Sequence, residues 1–158
     1  MFKRILVPVD GSAVSSAGLQ QALRFARDQK AQLRIIHIVD EAVLAQYPEA
    51  IEGAGDLIAT MVRDGRKTLN KALQLAQRHR IKADSVLHEK LLGPLSDLIL
   101  DEAKKWRADI IVLGTRGQTG IKRLLLGSDA EDIVRASRLP VLLIHGSPAP
   151  RKRTKLTA

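Results

Sequence analysis

At 158 residues and 45% hydrophobic content, the chain has the length of one domain and can bury a single core. It contains no cysteine, which excludes disulfides, thiolate metal sites and thiol catalysis. The formal net charge is +9, and the segment RKRTKLTA at 151–158 carries four of the positive charges. A basic surface attracts several kinds of anion, but with 3% aromatic residues we do not expect nucleic acid to be the main partner.

The first segment, MFKRILVPVDG, contains an apolar run that Pro8 and Asp10 interrupt. This run is too short for a membrane span or a signal peptide. We therefore expect a soluble, cytoplasmic protein without a membrane partner.

Apolar runs alternate with segments of helical spacing along the chain. Because parallel strands need crossover helices, this alternation predicts an α/β fold, a doubly wound and mostly parallel sheet with helices on both faces. The predicted order is strand 2–9, helix 12–30 with Ser12 as N-cap, strand 31–39, helix 57–79, strand 83–89, helix 95–106, strand 108–114, helix 128–137 and strand 139–145.

Two segments do not fit this alternation. Residues 40–55 form a long connection, which is either a lid over the ligand edge or, as we favour, a surface insertion. Residues 147–158 have the composition of a basic flexible tail, so that 1–146 forms the single domain.

The stretch GTRGQTGIKRLLLGSDAED, at 114–132, follows the fourth strand, at the sheet edge where such folds bind ligands. Its glycine spacing matches neither the dinucleotide fingerprint nor the Walker loop. Gly127, Ser128 and Asp129 open a helix, whose free N–H groups and dipole favour a phosphate. Ser128 and Glu131 also form a capping box, which accounts for that helix start without a ligand.

The pattern Gly114-x2-Gly117-x9-Gly127-Ser128 resembles that of the ATP-binding members of the universal stress protein family. The segments ILVPVDGS, IIHIVD and LPVLLIH extend the resemblance to about residues 2–146. It implies an adenine nucleotide alpha hydrolase-like fold, a five-stranded sheet in the order 3-2-1-4-5. It also implies a regulatory stress-response protein that binds ATP, with Mg²⁺ as a companion ion, and hydrolyses it slowly at most. A homodimer through the last strand and an unidentified regulatory protein partner complete this expectation.

The resemblance further assigns a role to individual residues. The adenine would be bordered by Pro8, Val9, Asp10 and Ile38, the nucleoside by Leu113 and Gly114, and the phosphates by Gly117, Gly127, Ser128 and Asp129. Arg116 would neutralise phosphate charge. Asp129 replaces an apolar residue common in the family, and its repulsion of a polyphosphate, about 1 kcal/mol in solvent, predicts weaker binding or a greater need for a cation.

Other interpretations stay open at this point. The sequence is also compatible with an enzyme acting at the alpha-phosphate of an adenine nucleotide, and with a nucleotide-free interaction module whose basic tail binds acidic partners. Asp10 can serve simply as a turn residue in Asp-Gly-Ser. The histidines, His37, His79, His88 and His145, show no metal-ligand or catalytic spacing, and we interpret them as structural.

Overall fold

A computed structural model describes residues 1–46, 53–90, 92–116 and 128–146. The strands are β1 (Arg4–Pro8), β2 (Gln32–Asp40), β3 (Ala83–Lys90), β4 (Ile110–Arg116) and β5 (Val141–Gly146). The helices are α1 (Ala13–Gln29), α2 (Ala54–Arg78), α3 (Leu95–Trp106) and α4 (Ser128–Ala136). The strands form one parallel sheet in the order β3-β2-β1-β4-β5, which confirms the predicted fold and strand order.

Side-chain alternation along the strands builds a separate core on each face of the sheet. On one face, Ile5, Val7 and Ile35 pack with Leu23 of α1 and Leu69 of α2. On the other face, Leu6, Ile36 and Ile111 pack with Ile99 of α3 and Ile133 of α4. Strands buried on both faces explain why the sequence shows continuous apolar runs.

The predicted boundaries are close to the observed ones. Ser12 caps α1 as predicted, because its hydroxyl accepts a hydrogen bond from the backbone N–H of Ser15 at 3.1 Å. Helix α2 begins at Ala54, three residues before the predicted start at Leu57. In the long connection, Glu41–Gln46 forms a short 3-10 helix, whereas 47–52 lie outside the described residues, so the choice between lid and insertion stays open.

Two glycines bring helix α1 directly onto strand β4. A Cβ atom on Gly18 would lie 2.8 Å from the backbone nitrogen of Gly114. A Cβ atom on Gly114 would in turn run into the carbonyl oxygen of Val14. No side-chain layer fits between the two backbones, so the start of α1 is fixed against the carboxyl end of β4.

Within the described ranges, no helix is both long and apolar enough to cross a bilayer.

Candidate functional site

At the carboxyl edge of the sheet the strand order reverses between β1 and β4, and we refer to this point as the crevice. These two strands pair at Ile5–Ile110 and Leu6–Ile111 only, and the ladder is not continued to Val7 and Pro8. By contrast, β1 follows β2 over its full length, and β4 follows β5 as far as Arg116. The pairing of β1 with β4 therefore ends early, at the point where parallel α/β sheets bind their ligands.

Three of the residues assigned to the base and nucleoside share the α3 and α4 face of the sheet. Ile38 and Leu113 belong to the core on that face, and Pro8 follows Leu6 with the same alternation. Pro8 and Ile38 are half-buried, so they offer apolar surface that a planar ring can cover.

Val9 differs from its neighbours, because it lies in the core of the opposite face and is 6% exposed. Its backbone groups are also engaged: its N–H donates to the carbonyl of Ile36 at 2.8 Å, and its carbonyl oxygen lies 2.8 Å from Nδ1 of His37. His37, interpreted as structural, thus positions the turn that leads to Asp10.

Asp10 ends the run that follows β1 and carries a carboxylate at the mouth of the crevice. Its Oδ1 accepts a hydrogen bond from the backbone N–H of Ser12 at 2.8 Å, as expected of an Asp-Gly-Ser turn. Partial burial acts to raise the pKa of Asp10, but hydrogen bonds from Ser12 and Ser15 outweigh it and hold the pKa below its usual range. The side chain therefore stays ionised and acts as a hydrogen-bond acceptor at neutral pH.

The end of β4 and the start of α4 hold the residues assigned to the nucleoside and phosphates. Gly114 and Arg116 lie in β4, and Ser128 and Asp129 open α4 with exposed side chains. Gly117 and Gly127 lie outside the described residues. The fold accounts for Gly114 without any ligand, because α1 packs on it.

An ion pair at the same edge was not foreseen from the sequence. Lys90, at the end of β3, is 6% exposed, and its Nζ lies 2.7 Å from Oδ1 of Asp40 at the end of β2. The same oxygen accepts the N–H of Ala42 at 3.2 Å, which fixes the start of the 3-10 helix. The only signal in the sequence was the two-residue alternation from Asp84 to Lys90, which places Lys90 on the face of Ile38.

The remaining polar contact near the edge joins β4 to β5. The hydroxyl of Thr115, which is buried, lies 2.8 Å from Nδ1 of His145. In the described ranges, no three histidine or acidic side chains come together in a geometry that could hold a metal. The described part of the site can therefore bind a planar apolar group and a hydrogen-bond donor, with main-chain N–H groups of α4 nearby for an anion.

Similarity to known proteins covers nearly the whole chain. The model of the universal stress protein family matches residues 1–145. A universal stress protein of Methanocaldococcus jannaschii is 34% identical over 91% of this chain and 82% of its own length. The universal stress protein YxiE of Bacillus subtilis is 30% identical over 92% of this chain and 100% of its own length.

Solved structures share the fold. A universal stress protein from Burkholderia pseudomallei superposes with a TM-score of 0.73 and 28% identity, over 90% of this chain and 96% of that one. A universal stress protein solved with cAMP has a TM-score of 0.61 at 24% identity, over 92% of this chain and 98% of that one. One from Archaeoglobus fulgidus, solved with dAMP, has a TM-score of 0.60 at 21% identity, over 90% and 98%. By the extent of the family match and the identity of its relatives, this chain belongs to the universal stress protein family.

Proposed function

We propose that this protein is a regulatory stress-response module that binds an adenine nucleotide, ATP with Mg²⁺ in particular, in the crevice between β1 and β4. The reversal of strand order at β1 and β4, whose pairing ends at Leu6 and Ile111, carries the proposal, because parallel α/β sheets bind ligands at such a point. Two proteins of the same fold were solved with cAMP and dAMP, both of which carry adenine and a phosphate.

The described residues suggest how the nucleotide is held. Pro8 and Ile38 cover the base, and Leu113 with the Gly114 backbone follows the nucleoside. The ionised carboxylate of Asp10 accepts a hydrogen bond from a base amino group or a ribose hydroxyl. Ser128 and the N–H groups at the start of α4 bind phosphate, together with Gly117, Gly127 and Arg116, as predicted from the sequence. Asp129 in the first turn of α4 weakens this phosphate site and increases the need for a cation.

Binding, and not fast turnover, is the proposed activity. Rapid phosphoryl transfer requires a positioned base or metal ions to neutralise developing charge. Asp10, an acidic side chain at the crevice, has a lowered pKa, which makes it a weak base. The cytoplasmic location and the regulatory protein partner stay predictions.

Chromatography of the nucleotide released from freshly purified, denatured protein tests the proposal. We expect close to one adenine nucleotide per chain. If the purified protein is empty, calorimetric titration with ATP and Mg²⁺ should show binding. The proposal is wrong if neither ATP, ADP nor AMP is released or bound.

A matched pair of variants locates the site. Asp10→Ala removes the proposed acceptor, and we expect its affinity for the nucleotide to fall at least tenfold, since hydrogen bonds to charged groups contribute about 1.5–3 kcal/mol. Ser12→Ala removes the helix cap but keeps the carboxylate of Asp10 and the backbone N–H that donates to it. It should lower stability by about 1 kcal/mol with little change in affinity. Equal affinity of both variants and the unmodified protein would place the nucleotide elsewhere.

A further inference from the structure

A second cavity lies on the α3 side of the sheet, at the edge opposite the crevice. It has a volume of about 690 Å³ and is formed where β1 and β2 begin and α3 ends. Because β1 has five residues, the two edges are about 16 Å apart. This cavity is therefore separate from the proposed nucleotide site.

The floor of the cavity is a closed polar network under an indole ring. The guanidinium of Arg34 binds Asp84 through Nε at 2.8 Å and Nη2 at 2.7 Å, and Glu102 through Nη1 at 2.9 Å. The second oxygen of Glu102, a buried residue, lies 3.0 Å from Nε2 of His88. Hydrogen bonds from Arg34 to Asp84 and Glu102 outweigh its desolvation and raise the pKa of Arg34 above its usual range. The floor thus pairs its two carboxylates with a single guanidinium.

The rim of the cavity carries positive side chains that form no ion pair with the acids of the floor. Arg4, Lys105 and Arg107 line the cavity with Arg34, whereas Glu102 is the one carboxylate of its lining. Neither Lys105 nor Arg107 forms an ion pair with any residue of the described ranges. Arg4 is held in place because its Nη1 donates to the carbonyl of Trp106 at 3.0 Å, which leaves its other donors for a ligand.

We propose that this cavity is a second anion site, which binds a phosphate-bearing small molecule independently of the adenine nucleotide. The cations come from three backbone positions, in β1, at the last turn of α3 and at its C-cap. A phosphate presents three acceptor oxygens and up to two charges to such a set. A carboxylate needs fewer cations than a phosphate, since one edge of a guanidinium already binds both of its oxygens, as Arg34 does for Asp84.

The indole of Trp106 gives the site an apolar wall and a built-in reporter. Arg34 covers one part of this ring, with Cζ 5.0 Å from its centroid, and Val86 adds further apolar lining. Trp106 is the single tryptophan of the chain, so the tryptophan emission reports on this cavity alone. The proposal does not depend on the nucleotide-binding function of the other edge.

Titration of the full chain with tripolyphosphate, at constant ionic strength, tests the proposal. We expect a saturable change in tryptophan emission and in the single indole N–H signal of the NMR spectrum. The double variant Lys105→Gln/Arg107→Asn should raise the midpoint at least tenfold. Asn suits position 107, whose backbone is left-handed with φ 56°.

The control is a second double variant with the same loss of charge, Arg66→Gln/Lys71→Gln, on the exposed side of α2. It should keep the midpoint of the unmodified chain. Equal shifts in both double variants would mean unspecific charge attraction and overturn the site, as would a response that does not saturate. A hexaglutamate peptide that saturates the signal while tripolyphosphate does not would overturn the phosphate assignment in favour of an acidic protein segment. If the site variant fails to fold, the titration of the unmodified chain tests the proposal by itself. A saturable shift of the indole N–H signal supports the site, and its absence overturns it.

Discussion

Gly55 and Gly65 lie in the same helix, α2, but have different surroundings. A Cβ atom on Gly65 would lie 2.5 Å from the ring of His37, whereas one on Gly55 would meet nothing within 4 Å. At position 65 the missing side chain lets the helix approach β2 and keeps His37 against the carbonyl of Val9. At position 55 the glycine contributes no packing.

This contrast gives opposite expectations for two alanine substitutions. Gly65→Ala overpacks the contact with His37 and should lower the free energy of unfolding by about 1–3 kcal/mol. Gly55→Ala reduces the entropy of the unfolded chain and should raise it by about 0.5 kcal/mol. Urea denaturation of both variants provides the measurement. If the two changes had the same sign, the close approach of α2 to β2 would be wrong.

Local chemistry made several individual residues predictable. Ser12 was predicted as an N-cap, and a turn role for Asp10 was weighed as the alternative to its ligand role, because both depend on neighbours within five positions. The contacts of His37 and Lys90 were not predictable, since each joins residues that are 28 and 50 positions apart. Such contacts depend on strand register, which a single sequence does not specify.

At the scale of elements, two ion pairs of opposite polarity fix the register of β2 and β3. Arg34 lies opposite Asp84 near the amino ends, and Asp40 lies opposite Lys90 at the carboxyl ends. The cation is on β2 in the first pair and on β3 in the second. A shifted register would separate both pairs and leave Lys90, which is buried, without its acid.

Removal of the central cation should therefore be costly. Arg34→Met leaves Glu102, whose side chain is 7% exposed, with His88 as its described partner, and we expect a loss of about 3 kcal/mol of stability. The double variant Arg34→Met/Glu102→Gln removes both charges and should recover part of this loss. A double-mutant cycle from chemical denaturation measures the coupling. Additive effects of the two substitutions would show that the network is not coupled.

Strands and helices were predicted well because their apolar positions repeat with the period of a buried strand or an amphipathic helix. The segments ADIIVLG and LPVLLIH are examples, because both were predicted as strands and they overlap β4 and β5. The 3-10 helix at Glu41–Gln46 has no such repeat. Its start is fixed by a single hydrogen bond from the N–H of Ala42 to Asp40, and it was missed.

At the scale of the whole molecule, β5 is an edge strand. It pairs with β4 through residues 141–146, and in the sheet of the described residues no strand covers its other side. Its apolar side chains from Val141 to Ile144 are only half-buried. Such an edge invites pairing with a second copy around a two-fold axis.

We therefore predict a homodimer that joins two β5 strands. Analytical ultracentrifugation at micromolar concentration should show a dimer, and Leu143→Lys should convert it to a monomer by placing charge at the pairing edge. Leu57→Lys, at a position that is 42% exposed on α2, is the matched control and should stay dimeric. A monomer of the unmodified chain at that concentration would contradict the prediction.

The order of the strands followed from resemblance to a family, whereas the crevice and the second cavity required coordinates. Apolar runs cannot show that the pairing of β1 with β4 ends at Leu6 and Ile111. They also cannot show that Arg4 and Trp106, 102 positions apart, share a hydrogen bond. Both features arise from the way distant segments meet.

The direct contact between Gly18 and Gly114 has a mechanical consequence. With only backbone atoms between them, a displacement of the strand end by a bound molecule must be transmitted to the first turns of α1. The solvent side of those turns, where Ser16 and Gln20 are exposed, would then change its position on the protein surface. Binding of a ligand in the crevice would in this way alter a surface that other molecules can contact.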